Sequence, residues 1–151
     1  MAQKNHPIKT IALSTGGGDA PGLNAVIRAA VLAAHKRGWH CLRIRDGYNG
    51  LLMADHYNGD GVISLTEKSV RGITHLGGTI LGTTNRGQST AFPNRGRARS
   101  DSGIDRTDEL IAQVRKQKID ALIAIGGDSS LEIASVLAQK GLRVVGVPQN
   151  D

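Results

Sequence analysis

The chain has 151 residues, enough for one domain with its own core, and 39% of its residues are hydrophobic. Its formal charge is +6, which suits an anionic partner such as a nucleic acid, a phosphorylated metabolite or a nucleotide. A single cysteine excludes an internal disulfide, and the sequence has no signal-peptide or membrane-span pattern. We therefore expect a cytoplasmic protein that binds no membrane.

The first half of the chain predicts strands and helices in alternation. A buried strand is predicted over Ile8–Leu13, and from Gly22 a helix follows with apolar residues at three- and four-residue steps. The helix is predicted to end at the two cations Lys36 and Arg37, which are followed by Gly38. The further predicted elements are a half-buried strand at Trp39–Arg45, a turn at Gly47–Leu52 (GYNGLL) and a short strand at Val62–Leu65.

The second half continues this alternation. Its predicted elements are a helix capped by Thr107, a strand at Asp120–Ile125, a helix at Ser130–Lys140 and a strand at Leu142–Val147. Strands that alternate with helices across short loops predict a mostly parallel sheet with helices on both faces. We interpret residues 1–151 as a single α/β, Rossmann-like domain.

Two predicted strand-to-helix turns are rich in glycine. The glycines are Gly16, Gly17, Gly18, Gly126 and Gly127. In parallel α/β sheets, ligands bind outside the carboxyl ends of the strands, where the N–H groups of a helix N-terminus favour an anion. Glycine also lets a phosphate approach the backbone. A tight turn alone accounts for one or two glycines, so the larger number favours phosphate binding.

Asp19 and Asp128 follow these glycines, and each has two interpretations. Either can be an ordinary N-cap. A carboxylate beside phosphates repels them unless a cation lies between, and Mg²⁺ bridges carboxylate and phosphate oxygens. Asp128 is therefore the better candidate for a metal residue, directly or through water.

Other signatures are absent from the sequence. Neither the common P-loop motif nor the dinucleotide fingerprint occurs. The densest basic stretch, residues 94–106, contains no aromatic residue, so we expect no nucleic-acid partner. We interpret this stretch as a solvated loop, with a patch that faces phosphates as the alternative. The five histidines show no metal-ligand spacing, and Cys41 within a strand is interpreted as a small core residue.

Four motifs together resemble the N-terminal half of 6-phosphofructokinase. They are STGGGDAPGLNAVIR (14–28), GYNGLL (47–52), GGTILGTTNRG (77–87) and IDALIAIGGDSSLEIA (119–134), and they cover almost the whole chain. The resemblance implies a glycolytic enzyme that transfers the terminal phosphoryl group of ATP to the 1-hydroxyl of fructose 6-phosphate, with Mg²⁺. It also implies a homo-oligomer, since members of the family are usually tetramers.

The resemblance assigns roles to particular residues. Gly18 contacts the nucleotide phosphates, and Asp128 is the magnesium residue. Arg86 reaches the donor phosphates and stabilises the charge of the transition state, although it could also be a solvated side chain on a loop. The nucleotide- and phosphate-binding set is Gly17, Gly18, Asp19, Arg86, Gly87, Gly127, Asp128, Ser129 and Ser130.

Three positions depart from the family pattern. Ser129 stands where ATP users carry glycine and pyrophosphate users carry aspartate; because serine is small and neutral, we favour ATP. Leu32, four residues after Arg28, replaces an effector-binding arginine of some bacterial members. The chain ends in GVPQND, where Gln149 stands at the position that carries Gly or Lys in the family. The Thr-Ile-Asp sequence that carries the family's catalytic base is absent, so the base stays unassigned.

We therefore expect the ATP-binding part of an ATP-dependent 6-phosphofructokinase, as a fragment or a truncated gene product without the acceptor half. Positioning of the acceptor contributes as much as about 7–11 kcal/mol, and a general base roughly 3–5 kcal/mol. A coupled assay of the 151-residue chain should accordingly show negligible kinase activity, and ordinary turnover would contradict this. The alternatives are a pyrophosphate-dependent phosphofructokinase, another Gly-Gly-Asp kinase such as an NAD kinase, and a non-catalytic nucleotide-binding module.

Overall fold

A computed structural model describes residues 6–16, 22–82 and 106–149, without the side chain of Ser129. The strands are β1 (Thr10–Thr15), β2 (His40–Ile44), β3 (Val62–Leu65), β4 (Ala121–Gly126) and β5 (Arg143–Pro148). The α-helices are α1 (Leu23–Lys36), α2 (Asn49–Leu52), α3 (Thr107–Lys116) and α4 (Asp128–Gln139), and a 3₁₀ helix spans Ala54–Tyr57. None of the helices in these ranges is long and apolar enough to cross a membrane.

The strands form one sheet in the order β3-β2-β1-β4-β5. Only β3 is antiparallel to its neighbour, which confirms the predicted mostly parallel α/β sheet. The chain moves outward from β1 through β2 to β3, and then crosses back to place β4 on the other side of β1. The strand order therefore reverses between β1 and β4, and such a reversal is where open α/β sheets bind ligands.

Two apolar clusters cover the two faces of the sheet. On one face, α2, α3 and α4 pack over the side chains of Ala12, Leu42 and Leu122. On the other face, α1 packs over Ile11 and Leu13. Because successive side chains of a strand point to opposite faces, the alternation within β1 divides its residues between the two clusters. This arrangement confirms the expected helices on both faces.

Several predicted local features differ from the structure, and β1 lies two residues later than the strand predicted over Ile8–Leu13. The predicted turn GYNGLL contains the short buried helix α2. Thr107 is the first residue of α3 and not its N-cap, and its buried hydroxyl accepts a 2.6 Å hydrogen bond from Lys140 Nζ. Helix α4 begins at Asp128, two residues before the predicted start at Ser130. The prediction for GYNGLL was therefore wrong in the type of structure, whereas the other differences concern only where an element begins or ends.

Asp120 ties together the amino ends of β1 and β4. Its Oδ2 accepts hydrogen bonds of 2.9 Å from the backbone N–H groups of Lys9 and Thr10. Its own N–H donates to the Thr10 carbonyl at 2.9 Å. The carboxylate thus satisfies two backbone donors that lie just where the β1–β4 ladder starts.

Replacement of Asp120 by alanine is expected to lower the free energy of unfolding by about 1–3 kcal/mol, because the two N–H donors lose a charged acceptor. Urea denaturation followed by circular dichroism measures the change. Asp60→Ala removes an exposed carboxylate for which the described residues show no side-chain partner, and it should have little effect. Equal losses in the two variants would contradict the assigned role of Asp120.

Candidate functional site

Gly16, where the first glycine-rich turn begins, lies beside the second glycine-rich turn at the carboxyl edge of the sheet. The N–H of Gly16 donates to the carbonyl of Ile125 at 2.8 Å. A Cβ atom at Gly126 would lie 2.6 Å from the Gly16 carbonyl oxygen and 2.8 Å from Ser130 Cβ. A Cβ atom at Gly16 would likewise collide with the Ser130 hydroxyl. The close approach of the Gly16 backbone therefore requires glycine at position 126, and the Ser130 side chain leaves little room for a Cβ atom at position 16. Gly16 and the second turn thus lie at one site.

Gly127, unlike Gly126, is not in close contact with the neighbouring turn at its Cβ position. Its φ of −82° and ψ of −168° are open to any residue, and no described atom lies within 4 Å of the position of its Cβ. The described part of the fold thus has no need of glycine at this position. Gly127 is the N-cap of α4 and provides no side-chain cap, so N–H groups of the first helical turn stay available for an anion.

Asp128 is the exposed first residue of α4. The N-cap interpretation is wrong for this residue, because Gly127 holds that position and no side chain caps the helix. Within the described ranges, no three His, Cys, Asp or Glu side chains are grouped closely enough to hold a metal ion. A lone carboxylate fits Mg²⁺ in a nucleotide site, since this ion takes one or two carboxylates and completes its shell with phosphates and water.

The end of β5 lies at the same edge of the sheet. Pro148 is in register with Gly126, and the Gln149 N–H donates to the Gly126 carbonyl at 3.0 Å. Predicted site residues that lie outside the described ranges are Gly17, Gly18, Asp19, Arg86 and Gly87. Their roles stay predictions, as does that of the Ser129 side chain.

A chain of hydroxyl groups fastens residues 79–82 to the end of β1. Thr15 is fully buried, and its Oγ1 donates to the Gly82 carbonyl at 2.9 Å. Because its one proton is committed there, the 3.0 Å bond between the two threonine hydroxyls is donated by Thr79. Thr79 Oγ1 in turn accepts the N–H of Leu81 at 3.1 Å. Residues 79–82 are thus held against the end of β1, directly before the first glycine turn.

Asn24 anchors the same segment from α1. Its side chain is 1% exposed, and its Oδ1 accepts the Ile80 N–H at 2.8 Å. Its Nδ2 donates to the carbonyls of Leu76 at 3.1 Å and Gly77 at 3.4 Å. One buried amide therefore satisfies backbone groups on both sides of the bend that residues 76–80 make.

The turn between β2 and α2 packs against the same strand end. Ser14 Oγ donates to the Gly47 carbonyl at 2.9 Å, and the Asp46 N–H donates to the Leu81 carbonyl at 3.0 Å. Tyr57 donates a 2.8 Å hydrogen bond to the Asp46 carboxylate, and desolvation together with this bond raises the pKa of Tyr57 to about 12. Three segments thus converge on the carboxyl end of β1: residues 46–47, 79–82 and 126–130.

Thr15 and Asn24 are functional-site neighbours that no sequence motif predicts. A signal for Asn24 was present, because residues 24, 27, 31 and 34 recur at helical spacing and all four are buried. A polar residue in such a stripe must find hydrogen-bond partners. Cys41, by contrast, is confirmed as a core residue, and desolvation raises the pKa of its thiol to about 12. It is therefore no candidate nucleophile.

Comparison with known proteins matches this architecture to one family. The family model described as Phosphofructokinase covers residues 10–150. The ATP-dependent 6-phosphofructokinase 2 of Clostridium perfringens is 41% identical over 144 residues, which are 95% of this chain and 38% of that protein. The ATP-dependent 6-phosphofructokinase of Chloroflexus aggregans is 42% identical over 99% of this chain and 38% of its own length. The chain thus spans less than two-fifths of these curated relatives.

Solved structures agree with the sequence comparisons. Phosphofructokinase from Pichia pastoris in the T-state superposes with a TM-score of 0.75 and 30% identity, over 96% of this chain and 15% of that chain. A pyrophosphate-dependent phosphofructokinase from Marinobacter aquaeolei has a TM-score of 0.65 at 17% identity, over 95% of this chain and 34% of that chain, and it supports the fold alone. Since the family model spans nearly the whole sequence, the chain belongs to the phosphofructokinase family.

Proposed function

We propose that this chain is the ATP-binding part of an ATP-dependent 6-phosphofructokinase, which transfers the terminal phosphoryl group of ATP to the 1-hydroxyl of fructose 6-phosphate. The observation that carries the proposal is the contact of Gly16 with the second glycine turn at the β1–β4 reversal, together with the open space around the Cβ position of Gly127 among the described residues. Fold geometry explains the glycines at 16 and 126, whereas close approach of a phosphate explains the glycine at 127.

Backbone groups supply the first part of phosphate binding. The N-terminus of α4 has no side-chain cap, and a helix N-terminus favours an anion by about 0.3–2 kcal/mol. The N-terminus of α1 also lacks a side-chain cap, and its first turn has no acidic residue that would repel a phosphate. Both helices begin at the carboxyl edge of neighbouring strands, so their dipoles act on one ligand.

Charged side chains supply the second part. Asp128 at the start of α4 would hold Mg²⁺, directly or through water, and the bound ion neutralises charge on the donor phosphates. Arg86 comes four residues after Gly82, whose carbonyl is bonded to Thr15 at the first turn. We assign to Arg86 the fixed positive charge that a loose phosphoryl-transfer transition state requires.

ATP is the proposed donor in preference to pyrophosphate. The curated relatives above carry the name ATP-dependent 6-phosphofructokinase, and Ser129 brings no negative charge to the position that distinguishes the two donors. The same family relationship supports fructose 6-phosphate as the acceptor, a homo-oligomer and a cytoplasmic location. Calorimetric titration should give a lower Kd for Mg-ATP than for Mg-pyrophosphate, and the reverse order would favour the pyrophosphate-dependent enzyme.

The variant Asp128→Asn distinguishes binding of Mg²⁺ by Asp128 from a direct effect of its negative charge on ATP. With Mg²⁺ present, we expect the Kd for ATP to rise about tenfold, which is roughly 1.4 kcal/mol, because the ion loses its carboxylate. With EDTA, the variant should bind ATP as well as the parent or better, since a negative charge is gone. Glu132→Gln removes an exposed carboxylate one turn further along α4 and should change neither value. Equal weakening with and without Mg²⁺ would contradict the metal role.

A further inference from the structure

We propose a second anion site at the opposite, amino edge of the sheet, which binds a small phosphorylated metabolite. A cavity of about 290 Å³ lies there, and its lining residues are His6, Arg115, Lys118, Ile119, Asp120 and Arg143. The proposal is independent of the ATP site. Gly127 and Asp128 follow β4, whereas Asp120 precedes it, and a strand of six residues spans about 20 Å.

The fold brings these residues together from three separate parts of the chain. Arg115 lies in the last turn of α3, and Lys118 follows with a left-handed φ of 57°. Arg143 is the first residue of β5, and its Nη1 donates to the His6 carbonyl at 2.7 Å. Because β1, β4 and β5 are parallel, the segments that precede them meet at one edge, and their cations line one cavity.

The charge in this cavity is unbalanced. Arg115, Lys118 and Arg143 contribute positive charge, and Asp120 is the only carboxylate among the lining residues. Asp120 already accepts two backbone N–H groups, from Lys9 and Thr10. The side chains of Arg115 and Lys118 form no ion pair or hydrogen bond with another described residue. Among the described residues, Arg115 and Lys118 are thus two exposed cations without an ion-pair partner at a concave surface.

The lining chemistry selects the class of ligand. A guanidinium binds a phosphate through paired N–H donors, and an ammonium adds a point charge. A volume of about 290 Å³ is near the lower end of small-molecule sites, so it suits one phosphorylated metabolite rather than a polymer. The buried Ile119 gives the cavity an apolar wall for the carbon skeleton of such a ligand.

A competing explanation is that the cations only complement the dipole at the C-terminus of α3. Lys116 provides the matched control, because it lies in the same last turn and is exposed but does not line the cavity. Under the competing explanation, Lys116 and Arg115 are equivalent. If the cavity binds the anion, replacing Arg115 weakens anion binding and replacing Lys116 does not.

The test is a ¹⁵N–¹H NMR titration of the 151-residue chain with inorganic phosphate at constant ionic strength. We expect saturable shifts of the Lys118, Ile119 and Asp120 amides with a Kd on the order of 1–10 mM. The double variant R115Q/K118Q should weaken this binding at least about tenfold, and Lys116→Gln should leave it unchanged. Shifts of the Gly126 and Gly127 amides report phosphate binding at the carboxyl edge separately. A lack of binding at one edge therefore does not imply a lack of binding at the other.

Two results would overturn the proposal. One is a set of shifts that spread over many exposed cations and rise without saturation. The other is an equal loss of binding in Lys116→Gln and in R115Q/K118Q. Circular dichroism and the thermal midpoint establish that each variant is folded, and the single variant Arg115→Gln replaces the double variant if the latter is not.

Discussion

Replacing Asn24 with alanine is expected to lower the free energy of unfolding by about 2–5 kcal/mol. The Asn24 side chain is 1% exposed and pairs with the Ile80 N–H and the Leu76 carbonyl. Each buried backbone group that loses its partner costs about 1–3 kcal/mol. Urea denaturation, followed through the fluorescence of Trp39, measures the change.

The variant Asn24→Leu distinguishes hydrogen bonding from packing. Leucine has the same branched arrangement of side-chain heavy atoms as asparagine but is larger and offers no hydrogen-bonding group, so it should destabilise the protein at least as much as alanine. Exposed Gln139→Ala, at the end of α4, serves as a neutral control. If leucine restored parental stability, Asn24 would be a space-filling residue and the proposed anchoring of residues 76–80 would be wrong.

Gly127→Ala is expected to weaken Mg-ATP binding about 10–100-fold while the protein stays as stable as the parent. No described atom lies within 4 Å of the new methyl group, and a φ of −82° suits alanine. A methyl group where a phosphate must approach causes steric conflict of the size seen in overpacked sites, about 1–3 kcal/mol. Isothermal titration calorimetry and thermal unfolding measure the two quantities.

The neighbouring variant Gly126→Ala should instead lower the stability of the protein. Its Cβ atom would lie 2.6 Å from the Gly16 carbonyl oxygen, which is backbone and cannot rotate away. We expect a loss of about 1–3 kcal/mol in the free energy of unfolding. If Gly127→Ala bound Mg-ATP like the parent, the glycine at position 127 would serve the turn alone and the phosphate interpretation would lose its main support.

Much of the fold could be predicted because its signals are local. The helical spacing of Leu23, Ile27 and Val31 defines α1, and the apolar run before Gly126 defines β4. The same signals place both glycine turns at carboxyl ends of strands. The α/β class and the helices on both faces follow from this alternation.

The arrangement of the site could not be predicted in the same way, because it depends on contacts between distant parts of the chain. That β1 lies beside β4 is a pairing of residues more than a hundred positions apart. In the sequence Gly126 and Gly127 look alike, and only the structure shows that the first touches Gly16 and the second faces open space. The hydroxyl chain from Thr15 to Gly82 is likewise a long-range contact.

The most direct test of a shared phosphate site is a ¹⁵N–¹H NMR titration of this chain with Mg-ATP. We predict that amides at the end of β1, Thr15 and Gly16, shift together with those of Gly126, Gly127 and Asp128, along curves with a single Kd. Amides of β3, at the far edge of the sheet, should stay unchanged. Three results would contradict a shared phosphate site: shifts confined to one turn, different Kd values for the two turns, or no shift at either turn.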